Sequence, residues 1–373
     1  MTDSRKPIVV HLVTSLDFGG VESHMETLAR HAAGSSMALV FHAIGPGGAV
    51  ERSMKTLGAH VVAMNLSTRL PALSSIVTLY RLFRRMRPLV VHTHGAEANV
   101  CGLIAAWLAR VPVRIGEEIG MPDHGPKARA VFRGIYMLAH RVVGISQAVT
   151  DWLVASGEVP PRKAVRLYNP VELPAFAQDA PSLESVFRIG FVGRLEQVKN
   201  PRVLIDVLAG LRRDGIAAEL WLVGDGSQRA MLQAHADEQG MSQHVVFHGY
   251  QPDPARFVRQ CHVYVQPSLS EGFGLAFVEA MGAGVPVIVS AFGGAAEIVQ
   301  HDVTGWIVAE PSEALLTGAL LSVHGLGTQH LLSVGRAART SVERRFQPAS
   351  YLTALDALYA QVLHGASPSI ART

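Results

Sequence analysis

The fold of this 373-residue chain is limited most by an alternation that occurs twice. Short runs of β-branched residues are separated by longer segments of helical period, the pattern of parallel sheets built from βαβ units. In the first half the runs are Ile8–Val13, Met37–Ala43, His60–Met64, Leu89–His92, Val113–Ile115, Val142–Gly144 and Val165–Leu167. Helical segments between them include Glu22–Ala32, Leu73–Met86 and Glu97–Arg110. From Asn169 to Ser185 the pattern lapses into Pro, Ala and acidic residues without a period, as in a linker. A second series then runs through Arg188–Val192, Glu219–Val223, Val245–Phe247, Val263–Gln266, Val287–Val289 and Trp306–Val308. It closes on a helical segment from Pro348 to Leu363. The expected class is α/β, with two Rossmann-like domains whose parallel sheets face an interdomain cleft. The boundaries are residues 1–170 for the first domain, 171–186 for the linker, 187–347 for the second domain and 348–373 for a terminal helix.

A hydrophobic fraction of 49% supplies two cores, and 17% charged residues leave little room for disorder. The net charge of +3 is mild, and no basic block is interleaved with aromatics, so nucleic acid is not an expected partner. Two cysteines, Cys101 and Cys261, fit a reducing compartment better than a disulfide framework. The apolar stretch from Ile8 to Leu16 contains His11 and ends at Asp17, unlike a secretory core, and no apolar run reaches about 18 residues. A cytoplasmic protein is expected, peripheral on the membrane if it touches one.

The strongest motif spans Gln266 to Ile288. A strand ends near Gln266, and a helix begins near Gly274. The N–H groups of Phe273, Gly274 and Leu275 would leave the helix start together, where phosphate binds well. Glu271 lies just before that helix and Glu279 about a turn inside it, so the two carboxylates reach different parts of one ligand. Alternatively, both are solvated. Upstream, a strand ends at Val192 and Gly193 turns the chain. Arg194 and Lys199 follow, before a helix expected to start with Asn200 as cap and Pro201 in first position. Two cations at a strand's carboxyl end suit a diphosphate, or are ordinary loop cations. Gly19 and Gly20 make a second turn from strand to helix, though not the dinucleotide fingerprint. Tyr250, beyond another strand, stacks on a nucleobase or packs against the next helix. His92 and His94 flank Thr93, and His124 lies in a Pro/Gly loop. No third ligand for a zinc ion is evident, so no metal is expected.

Together these segments resemble the retaining glycosyltransferases of the GT-B fold, family 4. Glu271, Gly272, Phe273, Gly274 and Leu275 with Glu279 look like that family's E-x7-E motif. Phe191 to Leu195 with Lys199, Leu222 to Gly226, and Gly293 to Val299 follow its order. The resemblance covers nearly the whole chain. It implies that Arg194 and Lys199 hold the donor diphosphate, with backbone donors at Gly274 and Leu275 and Gly20 closing from the first domain. It assigns Glu279 to the ribose and Glu271 to the transferred sugar, which leaves Tyr250 as the candidate for contact with the base. It also implies retention of anomeric configuration by same-face substitution, no metal or other cofactor, and a last helix that crosses back to the first domain. The donor is a UDP-, GDP- or ADP-sugar. The acceptor is a glycan, a lipid-linked glycan or a small molecule, and the setting is surface polysaccharide or glycolipid synthesis. Many relatives carry a histidine after the strand at Val113–Ile115. Here Glu117 or Glu118 occupies that neighbourhood and His124 comes a few residues later; either the role passes to one of these, with Glu118 and His124 the named candidates, or the acceptor geometry differs. The basic segment Leu79–Arg87 suits an anionic membrane surface or is an ordinary surface helix. The competing readings are a nucleotide-sugar 2-epimerase of the same fold and a non-catalytic scaffold.

Overall fold

The computed structural model describes residues 6–17, 19–70, 72–176 and 186–365. Within the expected linker, residues 177–185 lie outside the described residues, as do residues 366–373 of the expected terminal helix. The chain divides into two compact units, one of residues 1–170 with 346–373 and one of residues 171–345.

The first unit has strands β1 (Ile8–Val13), β2 (Ala38–Ala43), β3 (His60–Ala63), β4 (Val90–His94), β5 (Val113–Glu118), β6 (Arg141–Gly144) and β7 (Ala164–Arg166). Between them run helices α1 (Gly20–His31), α2 (Ala49–Thr56), α3 (Leu73–Met86), α4 (Ala96–Leu108), α5 (Pro126–Leu138) and α6 (Gln147–Ala155). All strand pairs are parallel, in the order β3-β2-β1-β4-β5-β6-β7.

The second unit has strands β8 (Phe187–Val192), β9 (Ala218–Val223), β10 (Val245–Gly249), β11 (Val263–Gln266), β12 (Val287–Ser290) and β13 (Trp306–Val308). Its helices are α7 (Arg202–Arg213), α8 (Arg229–Glu238), α9 (Ala255–Val258), α10 (Leu275–Gly282), α11 (Ala295–Ile298), α12 (Glu313–Gly325) and α13 (Thr328–Arg345). The parallel order is β10-β9-β8-β11-β12-β13. A last helix, α14 (Pro348–Leu363), belongs to the first unit.

Strands in such sheets are covered on both faces, so they read as continuous apolar runs. Side chains still alternate between the two faces. Val9 and Val13 pack with Leu355 and Tyr359 of α14, whereas Val10 and Leu12 pack with Leu79, Phe83 and Ala105 of α3 and α4. In the second unit Phe187, Ile189 and Phe191 meet Leu204 and Leu208 of α7 and Leu316 and Leu320 of α12. Helix α3 buries Ile76, Leu79 and Phe83, spaced three and four residues apart, and turns Leu73, Val77 and Tyr80 outward.

Two local expectations fail. Asn200 is not a helix cap. Residues Gln197–Lys199 form a single 3-10 turn that Asn200 closes in a left-handed conformation (φ 52°), and Pro201 rather than Asn200 caps α7. Strands β4 and β5 run on to His94 and Glu118, beyond the expected ends at His92 and Ile115. The polar residues that ended the apolar runs are themselves inside the sheet.

In each sheet the order reverses beside the first strand, between β1 and β4 and between β8 and β11. Loops leave such a point in opposite directions and open a crevice at the carboxyl ends of the strands.

Candidate functional site

In the second unit, β8 leads into Gly193, Arg194 and the 3-10 turn that carries Lys199. Its neighbour β11 leads into Pro267–Gly274 and then α10. A backbone bond from Leu269 N to Val198 O, 2.8 Å, ties the two loops together. Lys199 Nζ lies 2.7 Å from Glu271 Oε2, although 72 residues separate the two in sequence. Ser268 Oγ donates to the same oxygen at 3.3 Å and accepts from Gln266 Nε2 at 2.7 Å. The side chains of Lys199 and Glu271 are 21% and 12% exposed, so the pair is sheltered but open to a ligand. An ammonium has three donors, and one bond to Glu271 leaves others for an anion.

Gly274 caps α10 in a left-handed conformation (φ 94°), and a Cβ there would fall 1.9 Å from Phe277 Cε1. Glycine thus permits the turn that presents the N–H groups of Gly274 and Leu275 at the helix start. Arg194 is exposed and lines an open pocket with Glu196, Gln197, Val198 and Leu269. Glu279 is half-buried inside α10, and desolvation pushes its carboxyl up to about 7. Tyr250 follows β10 and is 54% exposed.

The other expected site residues lie in the first unit. Gly20 opens α1 at the end of the loop that leaves β1. Glu118, the last residue of β5, is buried. Burial pushes its carboxyl up to about 7, against hydrogen bonds from the Tyr136 hydroxyl and Asn99 Nδ2. His124 Nδ1 lies 2.9 Å from the buried Glu158 Oε1, and its ring stacks on Phe132 with centroids 4.2 Å apart. Lys199, Glu271 and the start of α10 are therefore assembled within one unit, while Gly20, Glu118 and His124 are placed in the other.

The expectation that His92 and His94 lack a third partner is overturned. His11 on β1 is in register with His92 on β4, and its Nδ1 lies 2.9 Å from His94 Nε2. His94 Nδ1 lies 2.8 Å from Glu117 Oε1, and His92 Nδ1 lies 2.8 Å from the Tyr359 hydroxyl of α14. His24 of α1 approaches Glu117 Oε1 at 3.9 Å. All six side chains are buried. Desolvation holds the His11 imidazole well below its usual range, His24 at about 3 and His92 at about 4. Burial alone would raise the Glu117 carboxyl, but the imidazoles of His94 and His92 outweigh it and hold it well below the usual carboxylate range. Nε2 of His11, His24 and His92 and Oε2 of Glu117 have no hydrogen-bond partner. Each such buried atom costs about 1–3 kcal/mol. The usable signal was period two: on β1 and β4 the polar residues share the face of Val9, Val13 and Val90.

Comparison with known proteins matches residues 176–326 to the family model "Glycosyl transferases group 1" and residues 18–174 to "Glycosyltransferase Family 4". The capsular polysaccharide biosynthesis glycosyltransferase CapM of Staphylococcus aureus is 25% identical over 331 residues, 81% of this chain and 84% of CapM. An Escherichia coli UDP-Gal:alpha-D-GlcNAc-diphosphoundecaprenol alpha-1,3-galactosyltransferase is 25% identical over 259 residues, 63% of this chain and 66% of that protein. The fold is shared with Anabaena Alr3699/HepE in complex with UDP and glucose, at TM-score 0.80 and 20% identity over 94% of this chain and 99% of that one.

Proposed function

The chain belongs to the group 1 glycosyltransferases of the GT-B fold, and on that premise we propose that it transfers a sugar, with retention, from a nucleotide-diphosphate donor to a lipid-linked or glycan acceptor in surface-polysaccharide synthesis. The observation that carries the proposal is the convergence of Lys199 and Glu271 before α10, at the point where the second sheet reverses its strand order. Lys199, Arg194 and the helix-terminal amides of Gly274 and Leu275 bind the diphosphate, Glu279 the ribose and Tyr250 the base. As the glycosyl–phosphate bond lengthens, negative charge gathers on the departing diphosphate and positive charge on the sugar carbon. Lys199 and the amides stabilise the first charge and Glu271 the second. The leaving phosphate takes the acceptor proton on the same face. Glu118 and His124 serve the acceptor side from the first unit.

The HepE structure, which holds UDP and glucose, and the relative named for UDP-galactose and a diphosphoundecaprenol acceptor both support this class of substrates. An acceptor on a lipid needs a protein that reaches the membrane. No helix among the described residues is long and apolar enough to cross one. The neighbouring helices α3, α4 and α5 instead expose Leu73, Val77, Trp107 and Val131 beside Arg81, Arg84, Arg85, Lys127 and Arg133. Apolar side chains flanked by cations suit an anionic headgroup layer.

The test is a thermal-shift screen against UDP-, GDP- and ADP-sugars, followed by NMR of the product's anomeric centre. Stabilisation by one nucleotide class and an unchanged anomer are expected. No shift with any donor refutes the donor site, and an inverted product refutes retention. Formation of an epimer without acceptor would make the protein an epimerase. Sedimentation with phosphatidylglycerol vesicles at low salt tests the helical face, and failure to pellet refutes it.

A further inference from the structure

The geometry points to a metal site in the first unit, where His11, His92 and His94 bind one divalent transition cation, zinc being the best match to the donor set. The site does not depend on the sugar-transfer reading, because all its residues lie in the unit that does not contain Lys199 and Glu271.

Strand geometry builds the cluster. His92 and His94 are two residues apart on β4 and share a face of the sheet, and His11 meets His92 across the β1–β4 pair. One nitrogen from each of the three rings lies within 4.8 Å of the others. The rings of His92 and His94 stack with centroids 4.3 Å apart, which sets their nitrogens side by side.

The outer contacts are those that histidine ligands require. A ligating imidazole nearly always gives its second N–H to a carboxylate, carbonyl or other acceptor, which fixes ring and tautomer. His94 Nδ1 faces Glu117 Oε1 at 2.8 Å, and His92 Nδ1 faces the Tyr359 hydroxyl at 2.8 Å. Both rings are thereby oriented: His92 Nε2 is left without a hydrogen bond, and His94 Nε2 meets His11 Nδ1 at 2.9 Å, a bond the two nitrogens would exchange for a shared metal. The remaining Glu117 oxygen, Oε2, sits 3.3 Å from His92 Nε2, an ion-pair contact. Glu117 thus supplies both the outer partner of His94 and a negative charge to offset the cation.

Burial supports the assignment. Of the atoms that face the site, His92 Nε2 and Glu117 Oε2 are buried in an otherwise apolar layer and meet only each other, at 3.3 Å, so a cation there would compensate both. The shell is closed and joins β1, β4, β5 and α14, so the cation's task is to fasten these elements together rather than to activate a substrate. This differs from the reaction itself, for which the sequence resemblance implies no metal.

The experiment uses the full chain without an affinity tag. Metal content is measured by plasma mass spectrometry after purification in zinc-supplemented medium, and the stripped protein is titrated with cobalt(II). One tightly held metal per chain, the visible absorption of tetrahedral cobalt and a higher melting temperature with zinc are expected. His94→Gln and His11→Gln should each lose the bound metal, while His301→Gln, an exposed histidine, should keep it. If the substituted proteins fail to fold, the cobalt titration of the wild-type chain decides alone. Absence of stoichiometric metal with no cobalt absorption overturns the site, as does metal that survives both substitutions in folded protein.

Discussion

Gly293→Ala tests whether the Glu271 loop is held by close backbone contact. Gly293 follows β12 in a left-handed conformation, φ 62°. A Cβ built there falls 1.6 Å from the carbonyl oxygen of Glu271 and 2.7 Å from its carbonyl carbon. Cβ atoms essentially never approach within 3.0 Å, so the Glu271 peptide must retreat by about 1.4 Å. The obstacle is main chain and cannot turn aside as a side chain would. An alanine in the left-handed region costs about 1–2 kcal/mol, and forcing a packed contact apart costs about 1–3 kcal/mol. A total near 3 kcal/mol lowers the melting temperature by roughly 6–12 °C in a unit of this size. The retreat also carries the Glu271 carboxylate away from Lys199. Misplacing a reacting group by about 1 Å costs on the order of a hundredfold in rate. Differential scanning fluorimetry and initial rates with the donor found in the nucleotide screen supply the readouts. Gly318→Ala is the control: Gly318 lies inside α12 with nothing within 4 Å of its added Cβ. That substitution should be neutral or stabilise by about 0.5–1 kcal/mol. A Gly293→Ala protein that melts and turns over like wild type refutes the argument.

Lys199→Ala should weaken donor binding or turnover more than tenfold with the fold intact, as should Arg194→Ala. Calorimetry with the nucleotide decides, and wild-type affinity in both removes the diphosphate assignment. A double-mutant cycle of Lys199→Ala with Glu271→Gln should give a coupling of about 1–2 kcal/mol, between the values for exposed and buried pairs. Zero coupling would mean that the pair is incidental. The carboxyl of Glu279, raised from 4.5 to about 7, is neutral at low pH, so its contribution to the unliganded fold is present below pH 4.5 and is lost as pH rises through 7. Its use as a ribose acceptor has the opposite dependence: nucleotide affinity should increase through pH 7, by at most tenfold per unit, and Glu279→Gln should flatten the profile. Cys101 and Cys261 are buried thiols pushed up to about 11 and about 12, chiefly by desolvation. Neither should react with iodoacetamide at pH 8 until the chain is unfolded, and rapid labelling of native protein would contradict their burial.

The sheets were legible because parallel strands buried on both faces leave apolar runs that survive without any alignment. Ile8–Val13 and Val263–Gln266 coincide with strands, and Leu73–Met86 and Pro348–Leu363 with helices. The order of residues around Glu271 and Gly274 was legible for a related reason, since a loop and helix start are local and their spacing is written along the chain. The pairing of Lys199 with Glu271 was not, because only the adjacency of β8 and β11 brings residues 72 positions apart together. The histidine cluster was hidden more deeply. His94 and Glu117 lie beyond the expected strand ends at His92 and Ile115, whereas the sheet holds them inside. A polar residue at an even offset from core valines is visible in sequence, but which strand lies beside it depends on the crossover order. The Asn200 error had a local cause: an Asn before a Pro suits a helix start, and it suits equally well a left-handed residue that ends a 3-10 turn.

Helix α14 is made after both sheets, yet it completes the core that β1 begins. On a ribosome, the 171–345 unit emerges as one uninterrupted stretch and can finish folding while its neighbour still waits for a missing wall. Until Tyr351, Leu355 and Tyr359 arrive, the apolar face around Val9 and Val90, with its histidines, stays uncovered. A nascent chain stalled just before residue 346 should therefore recruit holding chaperones to its earliest-made part rather than its latest, reversing the usual order of vulnerability during synthesis.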